Sequence, residues 1–360
     1  MFLTDDKKFM TRALKLAELG KGYVSPNPMV GCVLVKDGSI IGEGYHEKFG
    51  GPHAEIIAIR NSKKDPSGST AYITLEPCCI TGKTPPCTKA LIDKDIQKVY
   101  IAMLDPNPLV NGKGVNELKN AGIPVHTGIL HKKAQHQNKA FTKWITTGTP
   151  WVSAKIAQSA NGYMGIDSEK SVWLTGEKSQ KHAHQLRTQV DAIMVGRQTA
   201  LVDNPKLTAR KATGRNPKRI VADTNCTLPM TLYLFQDGEA ETIILCSEEK
   251  FEQKQTTFCK YISIRKENGY LSPEHILQTL GKEGITSLLI EGGHKLINSF
   301  KQADLIDEVY VYTAPDNLEN AELKNPIQIS SNWKIRKDHA LGSDHLIVAE
   351  KRKEKCLQEL

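Results

Sequence analysis

The chain has 360 residues, enough for two or three domains, and its 39 % hydrophobic and 24 % charged content belongs to a packed globular protein rather than a disordered or fibrous one. Its longest apolar runs, "MVGCVLV" and "AIMVG", fall far short of the ~20 residues of a membrane span, so none is expected. The net charge of +8 is scattered along the chain, which fits a phosphorylated small molecule or plain solubility better than a basic nucleic-acid arm.

In chain order, residues 5–20 read as an amphipathic helix with Phe9, Leu14, Leu16, Ala17 and Leu19 on one side. After the loop "SPNPMVG", two apolar runs joined by Lys36-Asp37-Gly38 predict a β-hairpin. "GPHAEIIAIRNS" turns from loop into helix, "AYITLEPC" is a strand ending at Pro77, and "TPPCTKALIDKD" begins another helix. The strand "KVYIAML", the loop "DPNPLVNGKG", a helix stopped by Gly122 and a further strand follow. This alternation predicts a three-layer α/β/α domain. A helix over 132–144 and the break "TTGTP" place a boundary near 147–150, giving domains 1–147 and 148–360. In the second, "PWVSAKIAQSANG", "AIMVG", "RIVAD", "TIILC", "SLLIEGG" and "EVYVYTA" read as strands alternating with helices such as 178–189 and 273–281, again α/β. The last forty residues carry little pattern.

Three of the eight cysteines, Cys78, Cys79 and Cys87, fall within ten residues. The opening residues lack the basic head, apolar centre and cleavage site of a signal peptide, so a reducing cytoplasm is expected, and there a metal precedes a disulfide as the reason for such a cluster. A catalytic zinc site needs three His/Cys ligands, an open fourth position and a nearby carboxylate that is not a ligand. His53-Ala54-Glu55, followed past one strand by Pro77-Cys78 and then Cys87, supplies that set and matches the His-x-Glu…Pro-Cys signature of zinc deaminases. His53 and Cys78 are expected at helix N-termini, where N–H groups favour a thiolate. The short signature would put its second cysteine at Thr81; here Cys87 lies nine residues past Cys78, across a loop with a glycine and two prolines. Cys79 reads as a small buried apolar residue.

The second domain has no Gly-x-Gly-x-x-Gly after an early strand, so a Rossmann fold is a weak reading. "LLIEGGHKLINSF" offers paired glycines at a strand-to-helix turn, suited either to a phosphate or to a tight connection without ligand. "VGRQTALVDNPKLTAR" carries Thr199, Asp203, Asn204 and Arg210 in a polar segment after a strand. Lys155 is open to two readings, a site residue or a charge on an edge strand; Trp173 likewise could serve a site or the core.

The motifs "SPNPMVGCVLV", "GYHEKFGGPHAE", "LEPCCITGKTPPC" and "DPNPLVNGKG", in that order, resemble the deaminase half of the bifunctional riboflavin-biosynthesis deaminase/reductase family, and "PWVSAKIAQSANG", "SVWLTG", "HQLRTQVDAIMVGRQTALVDNPKLTAR" and "LIEGG" resemble its reductase half. The resemblance implies a cytidine-deaminase-like domain followed by a dihydrofolate-reductase-like domain. It implies one Zn2+ on His53, Cys78 and Cys87, Glu55 as proton shuttle, and Lys83 near a substrate phosphate. In the reductase half it implies NADPH contacts at Ala157, Trp173, Thr199, Asp203, Gly293, His294, Lys295, Leu296, Ile297, Asn298 and Ser299. Substrate contacts are implied at Ser171, Arg187, Leu207, Arg210 and Glu291, with Lys155 and Thr175 lining the same site. Arg187 and Arg210 suit a phosphate through bidentate pairing. The family's Ser-His after the first cysteine is Cys79-Ile80 here, and its Ser-x-Asp-Gly is Ser159-Ala160-Asn161-Gly162.

The expected enzyme deaminates a diamino-ribosylaminopyrimidinone 5′-phosphate and then reduces the ribosyl to the ribityl chain with NADPH. Its expected partners are phosphorylated pyrimidines and a second copy of the chain, without nucleic acid or membrane. The competing readings are a nucleic-acid (tRNA) deaminase with an RNA-binding C-terminal half, and a non-catalytic zinc scaffold. The first predicts clustered Lys/Arg with exposed aromatics on one surface, whereas aromatics are 6 % and no such cluster shows.

Overall fold

The computed structural model describes residues 2–80, 85–166, 172–251 and 259–352. Lys83, Ser171 and Cys356 lie outside them. The chain divides into two compact units, residues 1–148 and 149–360.

The first unit runs α1 (Thr4–Glu18), β1 (Gly31–Lys36), β2 (Ser39–Tyr45), α2 (Ala54–Arg60), β3 (Thr70–Ile73), α3 (Cys87–Asp93), β4 (Lys98–Ile101), α4 (Lys113–Asn120), β5 (Val125–Thr127), α5 (His131–Gln137) and α6 (Lys139–Thr147). Its sheet has the order β2-β1-β3-β4-β5; β1 is antiparallel to both neighbours, and β3, β4 and β5 are parallel. The hairpin turns on Asp37 and Gly38, both left-handed, as an Asp-Gly turn requires. Alternate residues of the strands feed two cores. Cys32, Leu34, Ile73 and Ile101 pack with Ala54, Ala58, Leu91 and Leu118 of α2, α3 and α4. Val33, Val35 and Tyr72 pack with Met10, Ala13 and Leu14 of α1. A sheet covered on both faces is the three-layer domain expected. The strand read through to Pro77 stops at Ile73.

Two glycines set how closely α2 approaches β2. A Cβ at Gly44 would lie 2.4 Å from Ala54 O and from Ala58 N, and one at Gly42 would lie 2.3 Å from Ala58 O. Only glycine lets the helix carrying His53 and Glu55 at its head seat this deep.

The second unit contains β6 (Trp151–Gln158), β7 (Tyr163–Gly165), α7 (Glu177–Gln189), β8 (Ala192–Gly196), α8 (Arg197–Asp203), β9 (Lys218–Ala222), α9 (Tyr233–Gln236), β10 (Thr242–Ser247), β11 (Cys259–Ile264), β12 (Lys266–Glu267), β13 (Tyr270–Leu271), α10 (Pro273–Lys282), β14 (Ser287–Glu291), α11 (His294–Gln302), β15 (Glu308–Thr313), β16 (Leu323–Lys324), β17 (Trp333–Leu341) and β18 (Asp344–Lys351). Nine strands form one sheet in the order β11-β10-β9-β8-β14-β6-β15-β18-β17. It is parallel from β11 to β15, then closed by the antiparallel hairpin β17–β18. β6 lies inside the sheet, between β14 and β15, so Lys155 is not an edge-strand charge. The patternless C-terminal stretch supplies that hairpin. Among the described residues no helix is long and apolar enough to cross a membrane.

Candidate active sites

The first site gathers at the head of α2. His53 is the N-cap residue of that helix, with an extended backbone, directly after Gly50-Gly51-Pro52. Cys87 is the first residue of α3, after Pro86, whose fixed φ suits a helix entry. His53 Nδ1 lies 3.2 Å from Cys87 Sγ and 3.5 Å from Cys78 Sγ. Cys78 does not itself open a helix, contrary to the expectation from sequence. It sits in the loop after β3, and the first N–H of α3, from Cys87, donates to its Sγ at 3.4 Å. The anion-stabilising helix end is therefore supplied by a residue nine positions away. Cys79 is half-buried and outside the set.

The three donor atoms lie within 4.8 Å of one another. A tetrahedral zinc ion, with bonds of about 2.0 Å to nitrogen and about 2.3 Å to sulfur, separates N and S ligands by about 3.5 Å. One imidazole and two thiols at these distances fit zinc and leave its fourth position open. Hydrogen bonds from Cys87 and His53 hold the Cys78 thiol well below its ordinary range, while the Cys78 sulfur and burial push Cys87 up. A bound dication lowers both thiols.

Glu55 is the second residue of α2 and almost fully buried. Burial, then the nearby Cys78 charge, push its carboxyl up to about 7. Its Oε2 is buried with no hydrogen-bond partner among the described residues. A carboxylate this dry, with one oxygen unpartnered, beside three metal donors but not one of them, is poised to exchange protons near neutrality.

Two supports escape a motif search. Buried His46 places its ring 5.4 Å from that of His53. Its Nδ1 faces Pro52 O at 3.0 Å and must donate; its Nε2 lies 3.1 Å from Asn27 Nδ2 and accepts, so the ring is neutral and fixed. Glu76 accepts from the backbone N–H groups of Asp105, Gly112 and Val115, pinning the chain just before Cys78 to the start of α4. A buried polar residue shortly before the metal motif is the only sequence signal for either.

The second site lies at the C-terminal ends of the parallel strands. Glu291 ends β14 in register with Lys155 on β6. Arg187 on α7 meets Glu291 through both arms of its fork, Nε and Nη2 each at 2.8 Å, and gives Nη1 to Thr208 O at 2.9 Å. The fork expected to take a phosphate is thus turned to Glu291, leaving one N–H on each Nη. Burial pushes the Glu291 carboxyl up, but Arg187 more than offsets this and holds it below its usual range. Burial lowers Lys155, against the opposing pull of Glu291. The Lys155 Nζ sits over the Tyr312 ring at 5.8 Å.

Leu207 precedes Thr208 in a buried loop and has a left-handed backbone. That loop is tied down by the fully buried Arg219, which reaches Lys206 O, Asp237, Leu234 O and Ala240 O, and by Asn216, which accepts from Ala209 N. Arg210 beyond it is exposed, as is Asp203 at the end of α8. Thr175 lies just before α7 and gives its carbonyl to Gln180. His184, not singled out from sequence, lies one turn before Arg187 on α7; it is buried, and burial followed by the charges of Arg187 and Arg210 pushes it down to about 4. Trp173 is 77 % exposed, which removes it from the core.

Gly292 and Gly293, with φ of 77° and 81°, make the turn from β14 into α11. A Cβ on Gly293 would fill the space between Thr199 Oγ1, 3.3 Å away, and Gly196 N, 3.7 Å away. This cradle of backbone N–H groups and a hydroxyl suits a cofactor diphosphate. Along the following run, His294, Leu296, Asn298 and Ser299 are half-buried and Lys295 exposed, whereas the Ile297 side chain is in the core and its N–H is bonded to Gly293 O. Ala157 is half-buried on β6, two residues past Lys155.

The two sites define a zinc-type deaminase joined to a reductase of α/β fold. Residues 3–103 match the cytidine and deoxycytidylate deaminase zinc-binding region, and residues 150–344 match the RibD C-terminal domain. The chain is 40 % identical over 354 residues to the riboflavin biosynthesis protein RibD of Actinobacillus pleuropneumoniae, covering 95 % of this chain and 94 % of that one. It is 39 % identical over 324 residues to RibD of Escherichia coli K12, covering 86 % and 88 %. Among solved structures, the diaminohydroxyphosphoribosylaminopyrimidine deaminase/5-amino-6-(5-phosphoribosylamino)uracil reductase of Thermotoga maritima superposes with a TM-score of 0.87 at 34 % identity, over 97 % of this chain and 99 % of that one. RibD of Acinetobacter baumannii gives 0.88 at 35 % identity, over 98 % and 100 %. The chain belongs to the RibD family of bifunctional riboflavin-biosynthesis enzymes, with a zinc-dependent deaminase domain and an NADPH-dependent reductase domain.

Proposed function

We propose that the first unit hydrolyses the amine of 2,5-diamino-6-ribosylamino-4(3H)-pyrimidinone 5′-phosphate and that the second reduces the ribosyl group of the product to the ribityl chain. The observation that carries the first step is the convergence of His53, Cys78 and Cys87 beside a buried Glu55 whose Oε2 has no partner among the described residues. Zinc, when bound by those three residues, lowers the pKa of water so that it is nucleophilic near neutral pH. Glu55 Oε2 takes a proton from the attacking water and gives it to the departing nitrogen, which leaves as ammonia. His46 and Asn27 hold the wall behind His53, and Lys83 supplies charge to the substrate phosphate.

In the second unit NADPH, when bound, supplies the hydride. Gly293 and the head of α11, with Thr199, hold its diphosphate; Ala157, Trp173 and Asp203 complete its contacts. Lys155, Arg187 and Arg210 give the substrate pocket a positive balance against Glu291, while Ser171, Thr175 and Leu207 shape it. Ammonia release and NADPH oxidation on the pyrimidine nucleotide, measured with the zinc content of the same preparation, test the reading; zinc near one per chain with neither activity overturns it.

The same reading takes the enzyme as a cytoplasmic homodimer. The free thiols of the described cysteines support a reducing compartment. β17 supports the dimer: it is an edge strand, exposed over most of its length, with Ile335 half in solvent. Light scattering at twice the chain mass is the expected result.

A further inference from the structure

NADPH differs from NADH by one phosphate on the adenosine 2′ oxygen, so whatever distinguishes them is a cation at the adenosine ribose. The sheet order locates that ribose. β6, β14, β8 and β9 are adjacent and parallel, so their C-terminal ends form a row. Lys155 and Glu291 mark the reacting end over β6 and β14, and the Gly292–Gly293 cradle with Thr199 marks the diphosphate between β14 and β8. The next place in the row is the end of β9.

Asp223 stands there, immediately after β9. In dinucleotide enzymes an acidic residue at a strand end takes the ribose hydroxyls and favours NADH, and a neighbouring arginine accommodates the 2′-phosphate. Here the acid is engaged in the fold. Asp223 Oδ2 accepts from Thr227 N at 2.7 Å and Leu228 N at 2.9 Å. Its Oδ1 is buried, with the Arg197 Nε at 3.5 Å. Arg197 Nε also donates to Thr227 Oγ1 at 2.9 Å. The guanidinium is thus held by its Nε alone, 40 % exposed, and neither Nη has a partner among the described residues.

We propose that Arg197 reads the 2′-phosphate of NADPH, with Asp223 and Thr227 as the residues that hold its guanidinium in place. Two free Nη groups match the bidentate geometry of a phosphate, and the acid that would favour NADH is withdrawn into a turn. The inference rests on the NADPH-dependent reductase reading of this unit.

Calorimetric titration of the full-length protein with adenosine 2′,5′-bisphosphate and with adenosine 5′-diphosphate tests it. In Arg197→Ala the ratio of the two affinities falls by about 10- to 100-fold, the worth of a charge-assisted pair. Arg197→Lys, which keeps the charge and loses the fork, recovers part of it. The ratio of kcat/KM for NADPH over NADH falls by the same factor. An unchanged ratio overturns the assignment, whether because both affinities are intact, the result for a solvated surface arginine, or because both drop together, the result for a diphosphate or folding role. If the wild-type protein binds neither nucleotide while releasing ammonia normally, the NADPH reading of the second unit falls, and the assignment with it.

Discussion

Glu55→Gln reduces ammonia release by about 10²- to 10⁴-fold while zinc stays bound at one per chain. The substitution keeps the shape of the side chain and removes its capacity to carry a proton. Because Glu55 is not among the three converging donors, metal content is untouched. Because its Oε2 has no hydrogen-bond partner among the described residues, the amide breaks no bond of the fold there. Its carboxyl is pushed up to about 7, chiefly by burial, so a neutral side chain at this position costs little in stability. NADPH oxidation, assayed on the already deaminated nucleotide, continues at the wild-type rate. The contrast is Cys87→Ser, which loses zinc together with ammonia release. A Glu55→Gln protein that releases ammonia normally would sink the proton-shuttle role and bring back the zinc scaffold.

The deaminase site was legible because its chemistry is local. His53 and Glu55 sit on one turn of one helix, and Cys78 and Cys87 are nine positions apart in sequence. What sequence missed there was reach: Cys78 was expected to open a helix, whereas it borrows the N–H of Cys87. The reductase site was harder for the same reason in reverse. For Lys155 the sequence leaves an edge charge open beside a site role, because nothing in the run 151–158 says that β14 and β15, more than a hundred residues on, will flank it. The pairing of Arg187 with Glu291 spans 104 positions and has no spacing to betray it. Arg219 reads as an ordinary strand charge until the carbonyls of residues 206, 234 and 240 are seen to converge on it. The hairpin β17–β18 escaped because β17 has one face in solvent and the other barely covered, so no apolar alternation marks it.

Glu291→Gln destabilises the second unit by about 3–5 kcal/mol at neutral pH, the usual cost of removing one partner from a buried ion pair. The carboxylate is 8 % exposed, takes both arms of Arg187 and faces Lys155 across the sheet. Without its charge, two buried cations face each other with only Thr208 O and an amide between them. The loss has a pH signature. The folded carboxyl is held below its ordinary value of 4.5, so its stabilisation is complete above the unfolded pKa and disappears as pH falls through the folded one. Urea unfolding of the full chain, followed by tryptophan fluorescence, to which Trp151, Trp173 and Trp333 of the second unit contribute, therefore gives a wild-type-minus-variant difference that is flat above about pH 5.5 and shrinks below about pH 4.5. A double-mutant cycle with Arg187→Met isolates the pair: the double variant recovers much of the stability, because the stranded guanidinium is gone. Reductase turnover does not return with it, because the pocket has then lost both the charge that positions Lys155 and the guanidinium that faces the substrate. If Glu291→Gln costs under about 1 kcal/mol, the pair behaves as an exposed salt bridge and the buried reading is wrong. If the cost is the same at pH 4 as at pH 7, the loss is one of packing and not of charge.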